Sequence, residues 1–404
     1  MIKFLVTVLF TTSLFASLTS VIIDKNSSKP ILGAMVSDSI HTIKTDSNGS
    51  FTIASDEKNI HIKAYGYRPL SIALDYNGTI SLEPIRIKAL YLSFWGANIN
   101  SKTLKKIMKI VDAKKINALV VDVKTEYGIT SYKTSFKQAN SYGSANQRTI
   151  KDIGKFMAFM KSKNIYTIAR IVTFKDELQA SHNPEYAIKN AKGKIWRNHD
   201  NMAWVDPFDK RSHEYTVAIA EDAARVGFDE VNFDYIRFPA KTNLRFSKKN
   251  TQANRIKAIG EFLDLAQSRL KKYGTFISVD TYGNICFTDD DTGIGQTVKS
   301  LAKHADYLSP MLYPSGFARG SFGRKYPADH PYIVIYRSIK NIKDKIDPIR
   351  VRPWLQHFKD YAHSRRHYRK FEINEQIRAT EDINSSGWMF WSPSSKYYIN
   401  YFKK

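Results

Sequence analysis

Phe228-Asp229-Glu230-Val231-Asn232-Phe233-Asp234-Tyr235-Ile236-Arg237-Phe238-Pro239 is the stretch on which the reading of this chain turns. It predicts a buried strand. Val231, Phe233 and Ile236 are its apolar residues, and Asn232 and Asp234, two apart, share one face. A carboxylate in so apolar a run is costly to bury unless it is paired or used. Pro239 has no amide hydrogen with which to continue a ladder. An acid at the C-terminal end of a buried parallel strand is where barrel enzymes carry their chemistry. The plainer alternative is a structural aspartate that caps the following loop.

The pattern on either side fits that setting. From Ala89 onward strand-like runs alternate with helical ones, the mark of βα units and a parallel sheet. The expected strands are Leu90–Trp95, Ala118–Val123, Ile165–Val172, Glu230–Ile236, Phe276–Thr281, Tyr307–Leu312, Val351–Gln356 and Gly387–Trp391. Each after the first follows a segment of helical spacing, as at Leu104, Ile107, Met108 and Val111. Eight such units over 89–404 predict a (β/α)₈ barrel, the TIM barrel. A doubly wound open sheet is the alternative, but no glycine-rich phosphate loop follows its first strand. Residues 18–85 read differently. Short strands at Val21–Ile23, Ala34–Val36, Thr42–Ile43, Ser50–Ile53, Ile60–Lys63 and Leu70–Leu74 are separated by turn chemistry such as Asp46-Ser47-Asn48-Gly49. They predict a small all-β sandwich. Pro30-Ile31-Leu32-Gly33-Ala34-Met35-Val36, Thr45-Asp46-Ser47-Asn48-Gly49-Ser50-Phe51 and Ala64-Tyr65-Gly66-Tyr67 resemble the carboxypeptidase regulatory-like domain, a transthyretin-like accessory sandwich. That resemblance implies no catalysis in 18–85.

Composition narrows the class. The chain has 404 residues and is 43% hydrophobic, enough for a sizeable core. Its 62 Lys and Arg against 38 Asp and Glu give +24, which favours polyanions: nucleic acid, anionic membrane or acidic polysaccharide. The basic residues are scattered and no basic-aromatic nucleic-acid motif stands out, so a nucleic-acid partner is not expected. Met1–Ala16 reads as a secretory leader, with Lys3 ahead of the apolar run Phe4–Leu14. The expected leader is 1–17 and the expected location periplasmic or extracellular, with a retained N-terminal anchor as the alternative. No later run is long and apolar enough to span a bilayer. Cys286 is the only cysteine, so neither an intrachain disulfide nor a cysteine-rich zinc site can form.

Polar residues gather at the expected strand C-termini. Asp122 and Lys124 end the second barrel strand, Arg170 lies late in the third, and Asp234, Tyr235 and Arg237 end the fourth. Asp280 and Tyr282 end the fifth, Tyr313 follows the sixth, Trp354, Gln356 and His357 end the seventh, and Trp391 closes the eighth. Parallel strands bring such residues to one mouth. Carboxylates surrounded by aromatic rings are the hardware of glycoside cleavage: one carboxyl protonated to serve the leaving oxygen, the other ionised as nucleophile or base. Arg237 or Lys124 would keep one aspartate ionised. Trp204, Trp196 and His199, in the loop-rich insertion Phe174–Phe208, are candidates for sugar subsites. Asp206 either lines the same cleft or caps the helix after Pro207. Asp289-Asp290-Asp291 reads as a solvated loop rather than a calcium site, because spaced oxygen ligands are missing. No cofactor and no metal is expected, and no serine-nucleophile elbow is present.

Ala118–Tyr127, Ile168–Val172, Trp204-Val205-Asp206-Pro207, Phe228–Pro239, Ser278–Gly283, Ser309–Pro314 and Gly387–Trp391 together resemble the glycosyl hydrolase family once catalogued as domain of unknown function 4015. The resemblance covers about 89–400 and implies a TIM-type barrel that acts on a polysaccharide or oligosaccharide. In related barrels the acid ending the fourth strand is commonly catalytic, which carries over to Asp234. Asp280 is the first choice of partner and Asp122 the second. Glu126 and Glu230 are weaker, Glu230 because it starts its strand. The expected substrate contacts are Arg170, Trp204, Asp206, Tyr235, Arg237, Tyr282, Tyr313, Trp354, Gln356 and Trp391. The alternative is a non-catalytic carbohydrate-binding envelope protein on the same scaffold. The surplus positive charge hints at acidic glycans.

Overall fold

The computed structural model describes residues 16–403; the expected leader up to residue 15 lies outside the described residues. The N-terminal strands are β1 (Ala16–Asp24), β2 (Met35–Ser37), β3 (Thr42–Lys44), β4 (Ser50–Ser55), β5 (Asn59–Lys63), β6 (Leu70–Ala73) and β7 (Ile80–Leu82). They form a three-stranded sheet, β4-β1-β7, and a four-stranded sheet, β3-β2-β5-β6. Alternation explains the core. Phe51 and Ile53 on β4 and Ile60 and Ile62 on β5 are buried, two apart, with Ile22, Val36 and Leu82. Ala16 and Ser17, at the end of the expected leader, are exposed and pair with Ser55 and Ala54.

The remaining strands, β8 (Ile87–Leu92), β9 (Ala118–Lys124), β10 (Tyr166–Val172), β11 (Glu230–Asp234), β12 (Phe276–Tyr282), β13 (Tyr307–Met311), β14 (Trp354–Gln356) and β15 (Gly387–Trp391), close into a barrel. All eight are parallel, and β15 pairs with β8. With helices between them they make the expected (β/α)₈ barrel. The period-two pattern sorts the side chains. Ala89, Tyr91, Val120, Ile168, Phe276, Tyr307 and Met389 pack inside the barrel. Leu119, Val121, Ile171, Val231, Phe233 and Phe390 pack outward against the helices.

Among the barrel strands, three differ from expectation by more than one residue. β11 stops at Asp234, short of Ile236, where Tyr235 turns left-handed. β8 ends at Leu92 because Phe94–Gly96 winds into a 3₁₀ turn. β14 is three residues long, with Pro353, which lacks a donor, just ahead of it. The Phe174–Phe208 insertion has a helix, Glu177–His182, and antiparallel bridges Lys175–Trp204 and Arg197–Ala203 that fold it back on itself.

The N-terminal sheets seat on the N-terminal rim of the barrel. Lys63 Nζ donates to the Thr275 carbonyl at 3.2 Å and to Asp306 Oδ2 at 3.1 Å. The Gly66 amide donates to the Tyr307 hydroxyl at 3.2 Å. Thr275 and Asp306 immediately precede β12 and β13, so this contact lies opposite the strand C-termini.

Candidate active site

Register builds the site. On β11, Glu230, Asn232 and Asp234 point to one face in three successive layers. Glu230, lowest, accepts from Arg352 at 2.7 Å and from the Tyr166 hydroxyl at 2.9 Å, deep in the barrel. Asp234, highest, reaches the mouth. Arg170 pairs laterally with Asp122 on β9 and Asn232 on β11. The barrel's closure therefore brings Asp122, Arg170, Asp234 and Asp280 to one mouth, with Arg170 bonded to Asp122 and Asp234 and Asp280 bonded to Asn232 and Trp354.

Arg170 is its hub. Its Nε and Nη2 donate to Asp234 Oδ2 at 3.0 and 2.5 Å, and its Nη1 donates to Asp122 Oδ1 at 2.6 Å. Burial opposes its charge, but Asp234 and Asp122 outweigh burial and hold the guanidinium firmly protonated. Asp122 also accepts the Tyr91 hydroxyl at 2.9 Å. One guanidinium serves two carboxylates unequally, and burial leaves Asp122 above the usual carboxylate range despite Arg170 and Tyr91. Asp234 Oδ1 accepts the amide of Tyr235 at 2.6 Å. That contact goes with a left-handed backbone at Tyr235, φ +50°, a conformation costly for an aromatic residue and frequent at functional sites.

Asp280 has the opposite surroundings. Its Oδ1 accepts from Asn232 Nδ2 at 2.8 Å and from Trp354 Nε1 at 2.6 Å. Among the described residues no cation touches it. Burial, and then the negative charge of Asp234, push its pKa well above the ordinary value, against the pull of those two donors. The two carboxyls that face the mouth thus differ in kind: Asp234 is paired with a cation, and Asp280 is desolvated and favours its proton.

A cavity of about 220 Å³ opens on both, with Tyr313, Trp354 and Trp391 among its walls. Trp391 lies over Tyr91 at 4.0 Å between ring centres and meets Trp354 edge-on at 5.7 Å. Arg237 and Tyr282 line this cavity and also a wider cleft of about 590 Å³ that contains Trp196, His199 and Trp204. A larger depression, about 1050 Å³, lies on the barrel flank between the helices Gln252–Leu270 and Val298–His304, away from the strand ends.

Several expectations need correction. Lys124 and Arg237 do not charge the aspartates. Lys124 turns away to Asp176 at 2.8 Å and to the Val172 carbonyl at 2.5 Å, following a register shift opposite Arg170 and Ile171. Arg237 rests on aromatic faces. Asp206 does not reach either cavity. Its carboxylate accepts the amides of Phe208 at 2.9 Å and Ser247 at 2.6 Å and organises the loops, while Asp209 caps the following helix. Gln356 is locked by Ser315, accepting its amide at 3.1 Å and donating to its hydroxyl at 2.7 Å. His357 packs outward against Phe390, Tyr397 and Phe402. Asp291 is engaged by Arg255 at 2.6 Å and by the Gly295 amide. Glu126, half-buried beyond β9, adds negative charge beside Asp122. Tyr91, Asn232 and Met311 belong to the site but were not among the expected contacts. The alternation Ala89, Tyr91 and Asn232, Asp234 already turns the first two inward.

The family model described as "Putative glycosyl hydrolase domain" matches residues 89–397. The chain belongs to that family. Among solved structures, a hypothetical protein from Ruminiclostridium thermocellum ATCC 27405 is 33% identical, over 47% of this chain and 96% of that one, with a TM-score of 0.41. The PgaB (BpsB) glycoside hydrolase domain from Bordetella bronchiseptica aligns over 77% of this chain and 95% of its own, at 10% identity and a TM-score of 0.52. Alpha-L-fucosidase isoenzyme 2 from Paenibacillus thiaminolyticus aligns over 78% of this chain and 48% of its own, at 10% identity and a TM-score of 0.53. The last two share the barrel fold with the chain. No curated protein matches it.

Proposed function

We propose that this member of the glycosyl hydrolase family is a secreted enzyme that cleaves glycosidic bonds of a polysaccharide, with Asp280 as acid and Asp234 as nucleophile or base. The observation that carries this reading is the pair of inward carboxyls on one cavity with opposed surroundings. Both N–H donors to Asp280 fall on Oδ1. Its proton therefore belongs on Oδ2, the oxygen free to meet a leaving glycosidic oxygen. Asp234 is paired with Arg170, whose two bonds fall on Oδ2. That leaves Oδ1, steadied by the Tyr235 amide, to attack the anomeric carbon or to take a proton from water. Trp391 and Tyr313 supply flat apolar faces against which a sugar ring can lie. Asp122 shares Arg170 with Asp234 and so acts as a positioning residue.

The leader-like Met1–Ala16 supports action outside the cytoplasm. Cleavage near Ala16 or Ser17 would remove only exposed residues from the start of β1.

The test is release of new reducing ends from a panel of bacterial exopolysaccharides. Wild-type protein should produce them, and Asp234→Asn should lose about 10²- to 10⁴-fold or more in rate while keeping its circular dichroism. Wild-type rates from a folded Asp234→Asn variant would end the assignment.

A further inference from the structure

The cleft beside the catalytic cavity has a charge pattern that glycoside cleavage alone does not require. Arg237 stands where the two cavities join. Its guanidinium lies over three aromatic rings, 4.6 Å from Tyr282, 5.0 Å from Trp204 and 5.1 Å from Tyr235. Among the described residues it has no carboxylate partner, and its one hydrogen bond is to the neighbouring Phe238 carbonyl at 3.2 Å. Two other cations nearby are spent. Arg197 pairs with Glu177, and Lys175 pairs with Asp200 at 3.0 Å. Lys241, on the cleft's rim, is exposed and has no acidic partner among the described residues. Among the described residues no Asp or Glu lines this cleft.

A half-buried guanidinium held in place by rings has already lost most of its rotamer freedom. It offers a planar fork of donors that fits an oxyanion, and Lys241 adds a second positive charge at the rim. The geometry points to a subsite that takes an acidic sugar, one carrying a carboxylate or a sulfate ester, with its oxyanion on Arg237 and its ring against Trp196 and Tyr282. This rests on the hydrolase reading and names its substrate class: an anionic polysaccharide whose acidic unit sits beside the cleaved bond. The net charge of +24 draws such a chain toward the protein as a whole. Arg237 alone selects where its anion rests.

Binding separates this inference from catalysis. Asp234→Asn protein is titrated with oligomers of chondroitin, chondroitin sulfate and polygalacturonate, and with the same oligomers after carboxyl reduction. At least one acidic oligomer should bind about ten- to a hundredfold more tightly than the neutral, carboxyl-reduced forms of chondroitin and polygalacturonate, and the preference should shrink as salt is raised. Loss of the preference on carboxyl reduction identifies a uronate, and its survival in chondroitin sulfate identifies a sulfate. Adding Arg237→Gln should bring the acidic and reduced forms together, and Arg237→Lys should restore part of the gap. Equal affinity for acidic oligomers and for the neutral, carboxyl-reduced forms of chondroitin and polygalacturonate, no binding by any acidic oligomer, or a preference that survives Arg237→Gln in folded protein would overturn the subsite. Selective binding with no reducing ends released from any glycan by wild-type protein would instead overturn the hydrolytic reading and leave the subsite standing.

Discussion

Asp234 and Asp280 carry the same carboxyl group and receive different tasks from their neighbours. Arg170 gives two N–H bonds to the first, while the second meets only neutral donors from Asn232 and Trp354. Arg170 therefore controls more than its own charge. Arg170→Gln strands two buried carboxylates, Asp122 and Asp234, and should cost about 3–5 kcal/mol in urea unfolding as well as activity. Asp280 makes a pH statement. Its folded pKa lies above the unfolded value of 3.8, so the stability it lends is complete below 3.8 and is eroded as pH climbs toward the folded value. Asp280→Asn should remove that erosion. Its melting temperature should gain on wild type as pH rises through the window, while turnover of unactivated glycans collapses. A constant difference across pH would contradict the raised pKa. In wild type the rate should fall as pH rises through the same value, since only the protonated acid serves. The sequence made the three aspartates legible, because each ends an apolar run. It did not make the cation legible. Arg170 lies within its strand, and only the lateral register shows that it faces Asp122 and Asp234, whereas Lys124 and Arg237 looked nearer on paper.

At the scale of elements, the barrel depends on its seam. β15 closes on β8 with Gly387 opposite Ile87. Gly387 has φ +114°, and a Cβ there would lie 1.9 Å from the Ile87 carbonyl oxygen. Both the backbone angle and the space exclude a side chain. Gly387→Ala should therefore destabilise the fold by about 2 kcal/mol or more, read by denaturant titration. Unchanged stability would mean that the seam is looser than described. All eight barrel strands were legible, since period-two alternation with intervening helical spacing leaves few other architectures. Their ends were less so. The 3₁₀ turn that stops β8 and the proline that shortens β14 are local features that an apolar period alone does not mark. The Phe174–Phe208 insertion read as loop because its bridges are single pairs with no periodicity, yet it brings Trp196 and Trp204 to the cleft. Asp206 shows the converse. An acid in a conspicuous motif, it serves only to tie two loops through the amides of Phe208 and Ser247.

Across the whole molecule, support and chemistry occupy opposite ends. The N-terminal sheets meet the barrel below β12 and β13, through the buried pair of Lys63 and Asp306, and the carboxylates open above. Lys63→Met leaves Asp306 buried without its cation and should lower stability by about 3–5 kcal/mol, while kcat of the protein that remains folded stays unchanged. A fall in kcat would show that the lower rim communicates with the mouth. Sequence foretold both parts but not their contact, because Lys63 and Asp306 are distant in the chain and each looks like an ordinary surface charge. Catalysis as proposed needs Asp280 to hold its proton beside the cation-paired Asp234 at a single mouth. Infrared difference spectroscopy at neutral pH, wild type against Asp280→Asn, reads this most directly. Wild type should show a protonated-carboxyl stretch that Asp280→Asn abolishes and Asp234→Asn leaves in place. A wild-type spectrum with every buried aspartate ionised, or a band that vanishes with Asp234 instead, would contradict it.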